Sequence, residues 1–306
     1  MKRSSKLLLL LFLCSLMESP STAITKRYSK GGQYIILDTT LLKVNYLKTF
    51  KEFTEDRVMK KNIYELKIGE EVSSFEPNVV GYLSNHLPEE LLQDINKENE
   101  RTVRTRYAIK EWHRYYCTEK IPTQYYKNHP EAGMMTVMAG FGDTNLMCYY
   151  KDSIPSFDWQ LEEGDSIVCG YPCSKATTSF RGRTWYVWYT LDIPISEGPW
   201  KLCGLPGLIL KATDSKGDFD ITAIAIEKTL LNKNLENKIF YFDIPRERIT
   251  PQRLVKLGKQ FFEDEIAFLR WRYGEQNANQ IIDMKAQTGT SVTAERKIPC
   301  LIEYYE

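Results

Sequence analysis

Charge of one sign is what this 306-residue sequence most plainly lacks: 41 Lys and Arg stand against 40 Asp and Glu, a formal net charge of +1. Binding to nucleic acid shows itself as a basic domain or patch, so the balance excludes that partner. Beyond the first residues no apolar run approaches the ~20 residues that span a bilayer, so no transmembrane span is expected. Histidine occurs only as His86, His113 and His129, none of them inside a recognisable motif. G-x-S-x-G, H-E-x-x-H, a Walker loop and G-x-G-x-x-G are all missing, and Gly140-Phe141-Gly142 stops short of the third glycine. His113 and Cys117 are spaced like a ligand pair but lack a third and fourth ligand. Asp214, Asp218 and Asp220 around Gly217 miss the calcium-loop spacing and read as a solvated turn. Glu162, Glu163 and Asp165 read as another charged turn. No catalytic residue, metal site or cofactor is therefore assigned. Internal repeats and low-complexity linkers are also missing, which leaves one domain over residues 24–306.

What is present points to an exported β protein. Lys2, Arg3 and Lys6, the apolar run Leu7 to Leu13 and the small residues Ser21-Thr22-Ala23 are ordered as in a secretory signal peptide over residues 1–23. Leu13 precedes Cys14, where a lipobox needs a small residue, so the chain is not expected to be a lipoprotein. Cleavage near Ala23 leaves a periplasmic or secreted chain with Cys117, Cys148, Cys169, Cys173, Cys203 and Cys300. An oxidising compartment permits disulfides among these six, in any of fifteen full pairings, or buried thiols instead.

Aromatic residues make up 12 % of the chain, with 19 Tyr, which favours pleated sheet. Strands are expected over Gln33–Tyr46 and Ile63–Ile68, in a hairpin meander from Met134 to Cys173, and over Trp185–Ile193. A hairpin of Leu208–Thr213 and Phe219–Lys228 follows. Pro88–Asn99 reads as a helix with acids in its first turn. Thr250 as N-cap and Pro251 at the first helical position open a long helix that Gly274 stops. Val255, Phe262, Ile266, Leu269 and Tyr273 form its apolar stripe, with Leu254, Leu257, Phe261 and Phe268 beside it. Residues 275–297 are polar and read as a mobile excursion. The expected fold class is mainly β with α (α+β): a large curved antiparallel sheet, half-open-barrel-like, with one long C-terminal helix packed on its concave side.

The unusual segment is Gly198 to Leu210, GPWKLCGLPGLIL. Pro206 and Gly207 occupy the central positions of a type II turn, which requires φ > 0 at Gly207. Its flanks are apolar, although turns normally face water. Either the turn plugs the end of the sheet, or it offers apolar surface to a ligand or partner. The candidate binding residues are Trp188, Trp200, Gly204, Leu205, Pro206, Gly207, Leu208 and Ile209.

This segment resembles the signature of the GLPGLI family of exported envelope proteins. The likeness extends through Trp159-Gln160-Leu161, Gly170 to Ala176, Phe180 to Arg183, Trp188 to Thr190, Ile193-Pro194 and Gly198-Pro199. Leu66 to Gly69 with Ser73, Ser74 and Phe75, and Ile302-Glu303 at the end, extend it further. The resemblance implies a secreted, single-domain protein of a Gram-negative envelope and supplies no activity. The apolar turn and the lack of catalytic motifs set the expected role, a non-enzymatic binding or accessory module using an apolar cleft or the turn to hold a lipid-like ligand or an outer-membrane protein. The alternatives are a structural or assembly factor, or a hydrolase with His113 or His129 beside a nucleophile.

Overall fold

The computed structural model describes residues 25–29, 32–51, 59–78, 123–140, 147–228, 237–242 and 246–287. The signal-peptide segment, the Pro88–Asn99 helix, His86, His113, Cys117 and Cys300 lie outside the described residues.

The chain divides into two compact units. The small one is built on a three-stranded sheet in the order β1 (Thr25–Ser29), β2 (Gly32–Thr39) and β14 (Lys238–Phe242). Tyr34 and Phe240 meet edge to face within it, ring centres 5.2 Å apart.

The large unit contains a twelve-stranded sheet that does not close on itself. Its strands are β3 (Leu42–Lys51), β4 (Met59–Ile68), β5 (Ser73–Pro77), β6 (Thr123–Lys127), β7 (Met134–Gly140) and β8 (Met147–Ser153). β9 (Gln160–Val168), β10 (Tyr171–Phe180), β11 (Arg183–Thr190), β12 (Leu208–Asp214), β13 (Phe219–Lys228) and β15 (Glu247–Arg248) complete it. The order is β15-β8-β7-β6-β5-β4-β3-β13-β12-β11-β10-β9, two meanders joined where β13 returns beside β3. Every pairing is antiparallel except the short parallel contact of β15 with β8.

Alternation along the strands builds the core. Val44, Tyr46 and Phe50 of β3 point to the inner face, with Tyr64 and Leu66 as cross-strand partners of Tyr46 and Val44. Phe75 stacks on Tyr64 at 4.8 Å and meets Tyr46 edge to face at 5.9 Å. On β11 Trp185, Val187 and Tyr189 are buried, as the alternation predicts, and so are Arg183 and Thr190 at its two ends. The strand ends at Thr190, so Leu191 leaves that face and is exposed. Two tight turns use consecutive residues at positive φ, Cys169-Gly170 and Arg181-Gly182, as twisted two-residue hairpins require.

Two charged stretches differ from their sequence reading. Glu162, Glu163 and Asp165 belong to β9, where the register with β10 shifts between Ser174 and Lys175. Asp214 and Asp218 are not solvated; both are buried on the Arg183 guanidinium, with Asp218 at 2.8 Å. Asp214 also accepts the N–H groups of Lys216, Asp218 and Phe219, so the carboxylate organises the turn from inside.

The long C-terminal helix is replaced by three short ones: α1 (Pro251–Glu263), α2 (Glu265–Tyr273) and α3 (Glu275–Gln287). Thr250 caps α1 by accepting the Arg253 N–H at 3.1 Å, with Pro251 just inside, as expected. Asp264 breaks the stripe: its backbone is extended, at φ −155° and ψ 95°, and its carboxylate caps Ala267. A short acid that can bond its own following turn competes with helix continuation. Gly274 at φ 78° ends α2, and α3 begins at once where a mobile excursion was expected. Leu257, Phe261 and Phe268 gather on Cys148 of β8, so α1 and α2 pack at that strand rather than across the concavity.

Among the described residues Cys148, Cys169, Cys173 and Cys203 are free thiols, which corrects the expectation of disulfides for these four. Cys148, Cys173 and Cys203 are buried and act as small apolar side chains. Among the described residues, no helix is long and apolar enough to cross a membrane.

Candidate functional site

The Gly198–Leu210 segment lies in the core. Trp200, Leu202, Leu205, Leu208 and Ile209 are all buried, with Leu205 2 % and Ile209 0 % exposed. The Trp200 ring packs on Trp185 at 5.0 Å. Polar groups fix the backbone: Tyr46 donates its hydroxyl to the Ile209 carbonyl at 2.7 Å, and Trp159 donates its indole N–H to the Cys203 carbonyl at 2.9 Å. Burial, then the Glu197 and Cys169 charges, raises the Tyr46 pKa, so its hydroxyl keeps the proton it donates. Lys127 Nζ reaches Glu197 at 2.6 Å and the carbonyls of Leu202 and Gly198 at 3.1 and 3.2 Å. Lys201, itself buried, donates to the Tyr150 hydroxyl at 3.0 Å.

The fold thus brings Trp200, Leu205, Leu208 and Ile209 together inside, while Gly204 and Pro206 are exposed and Trp188 stands half-buried on the other face of β11. Gly207 is not at positive φ; Gly204 is, at 93°. Glycine is required at 207 for space instead, because a Cβ there would fall on the Thr190 carbonyl, 2.7 Å from its carbon.

A second, largely buried cluster lies on the face of β4 and β5 opposite Tyr64 and Leu66. Glu65 and Glu76 are directly opposite each other, and Lys67, two residues along β4 from Glu65, contacts both. Lys67 Nζ lies 3.2 Å from Glu65 and 3.4 Å from Glu76. Asn45 is the β3 partner of Glu65, and Ser74 is the β5 partner of Lys67. Asn45 Oδ1 and Ser74 Oγ are buried without a hydrogen-bond partner among the described residues. Buried polar atoms are normally satisfied, so these two leave hydrogen-bonding capacity unused beside the carboxylate pair among the described residues. Burial raises the Glu76 pKa, opposed by Lys67 and reinforced by Glu65. For Lys67, burial would lower the pKa, but the two carboxylates outweigh it and the net shift is upward. The cluster therefore joins an acid biased by burial toward its protonated form to a second carboxylate through one shared lysine.

Sequence reading did not single out Glu65, Lys67 or Glu76. The period-2 spacing of Glu65 and Lys67 shows only a shared face; their meeting with Glu76 depends on the β4–β5 register. His129 is set beside a hydroxyl, Nδ1 lying 3.0 Å from Thr136 Oγ1. That hydroxyl is buried and donates to the His129 carbonyl at 2.9 Å, so it braces the turn. Burial, then Lys151, lowers the His129 pKa to about 4.

Residues 97–242 match the family model described as N-glycanase peptide, N-terminal domain, of PNGase F-II. The matched stretch contains β6 through β14 and the whole Gly198–Leu210 segment. No curated protein matches the sequence. Among solved structures, the chain is similar to PNGF-II in a P21 crystal form, at 15 % identity and TM-score 0.43. It is also similar to PNGF-II in a C2 form, at 14 % identity and TM-score 0.43. Each match covers 70 % of this chain and 32 % of the other, so the chain spans about a third of those proteins' length. The family match overturns the GLPGLI resemblance, and with it the expected non-enzymatic role as an envelope binding, accessory or assembly module.

Proposed function

We propose that this chain acts on N-linked glycoproteins with N-glycanase-type chemistry, hydrolysing the amide that joins glycan to asparagine. The observation that carries this reading is the match of residues 97–242 to the N-glycanase N-terminal domain model. The Lys2-to-Ala23 segment supports an exported protein, where glycoprotein substrates from outside the cell are met.

The carboxylate pair supplies the chemistry. Glu65, ion-paired to Lys67, takes a proton from water as the water oxygen bonds to the amide carbon. Glu76, biased toward its acid form, gives its proton to the departing nitrogen as the C–N bond breaks. The products are an aspartate on the peptide and a glycosylamine. Asn45 and Ser74 are the cross-strand neighbours of Glu65 and Lys67. Incubation with an N-glycopeptide, followed by mass spectrometry, tests this. Release of glycan with asparagine converted to aspartate is expected, and Glu76→Gln should lower it ~10²–10⁴-fold, the usual worth of a positioned acid. Intact glycopeptide after prolonged incubation with folded wild-type protein would refute the hydrolytic reading.

A further inference from the structure

The outer face of β10–β12 carries a pattern that the acid–base pair does not use. Tyr186 and Trp188 stand two residues apart on β11, both half-buried, with rings on the outer face. Each ring has a lysine over it from a neighbouring strand, Lys175 at 5.5 Å from Tyr186 and Lys211 at 5.6 Å from Trp188. Each lysine is in turn held by a carboxylate one strand further out: Lys175 by Glu162 at 2.6 Å and Lys211 by Asp220 at 3.4 Å. A threonine hydroxyl donates to each carboxylate as well, Thr177 to Glu162 at 2.9 Å and Thr222 to Asp220. The arrangement repeats on both sides of β11, which makes it a row across five strands.

Three physical features narrow the occupant. The two aromatic side chains are only partly buried, so each leaves some apolar ring surface beside its lysine. Fixed carboxylates, ammonium groups and hydroxyls flank them, all suited to hydroxyl partners. Two cations are matched by two carboxylates, so the row has no net charge to draw an anionic polymer or an acidic membrane. Side-chain exposures of 27 % for Lys175, 36 % for Glu162, 31 % for Lys211 and 40 % for Asp220 keep the polar groups within reach of a ligand. A neutral ligand with alternating C–H faces and hydroxyl edges fits all three, and a pyranose oligosaccharide is that ligand.

We infer that this row is a docking face for the neutral glycan of the substrate, an inference that rests on the N-glycan reading above. The cross-strand register puts Trp188, Lys211, Thr222 and Leu47 in one line on the same face as Asn45 and Glu65. β11 and β4 are four strand spacings apart, about 19 Å along the sheet, a span that an oligosaccharide of several sugars covers. The glycan then lies across β10–β12, with the carboxylate pair further along the same face.

The probe is a free neutral high-mannose oligosaccharide, titrated into the full chain and followed by saturation-transfer NMR and tryptophan fluorescence. Saturable binding is expected, with affinity at least tenfold weaker in Trp188→Ala and several-fold weaker in Lys211→Ala. Glu65→Gln and Glu76→Gln should bind as wild type does. Lys211→Ala keeps the test open if Trp188→Ala does not fold. Absence of saturation transfer with folded wild-type protein at millimolar oligosaccharide would overturn the inference, and so would unchanged affinity in the folded variants. If oligosaccharide binds at this row but the wild type releases no glycan, docking stands and the hydrolytic reading fails. If glycan is released with the same KM in wild type and Trp188→Ala, docking fails and the hydrolytic reading stands.

Discussion

Replacing Lys127 by Met tests how the Gly198–Leu210 segment is held. The lysine side chain is 3 % exposed and its Glu197 partner 15 %. Removing the ammonium leaves Glu197 without its cation and takes a donor from the Gly198 and Leu202 carbonyls. Breaking a buried ion pair costs about 3–5 kcal/mol. Glu197 is not fully buried and keeps the Ser73 hydroxyl at 2.8 Å, which places the pair near the low end of that range. An orphaned carbonyl adds about 1–3 kcal/mol, and because the same segment can relax to meet both losses the terms overlap rather than add. A total near 4 kcal/mol is expected, read as a lower urea midpoint at unchanged slope. Hydrogen exchange should rise at the Leu208 N–H, which bonds the Ile193 carbonyl at 3.0 Å. The double variant with Glu197→Gln should recover part of the loss, because it removes the stranded charge. A Lys127→Met change below ~1 kcal/mol, or a double variant less stable than Lys127→Met alone, would refute this account.

Three further outcomes follow from particular contacts. Gly207→Ala should cost more than Gly204→Ala in thermal melts, about 3 against about 1 kcal/mol, because one meets a backbone carbonyl and the other only an unfavourable φ; the reverse order would restore a conformational role for Gly207. Glu76 has its folded pKa raised above the ordinary 4.5, so its stabilising contribution is complete below that value and is lost as pH rises through the folded pKa. Urea unfolding from pH 4 to 8 should therefore show wild type losing stability relative to Glu76→Gln as pH rises, and parallel curves would contradict it. Among the four described thiols, the exposed Cys169 should react first with a thiol reagent in the native state, ahead of Cys148, whose pKa burial lifts to about 11; earlier labelling of Cys148 would count against the described packing.

Much of the sheet was legible because alternation and turn chemistry are local. Trp185, Val187 and Tyr189 share a face by spacing alone, and the Leu208–Lys228 hairpin is bracketed by its polar turn. Thr250 and Pro251 announce the start of α1 for the same reason. The end of that helix was misread because periodicity continues through Asp264, while the break depends on whether one carboxylate bonds the following turn. The likeness to GLPGLI proteins centred on a string whose Leu205, Leu208 and Ile209 side chains are core, and short apolar strings serve packing in many folds.

By itself the sequence determined that the protein is a β-rich chain with balanced charge and an apolar Leu205–Ile209 turn. Those properties are set by composition and by neighbours within a few residues. Tertiary structure alone decided that Glu65 faces Glu76 across one pair of strands, that Lys67 joins them, and that Asn45 and Ser74 are buried beside them without a side-chain partner among the described residues. It also decided that Lys175 and Lys211 cap two rings of β11 from opposite sides. Strand alternation assigns a residue to a face; only the pairing register, fixed by burial of the whole inner face, assigns it a neighbour.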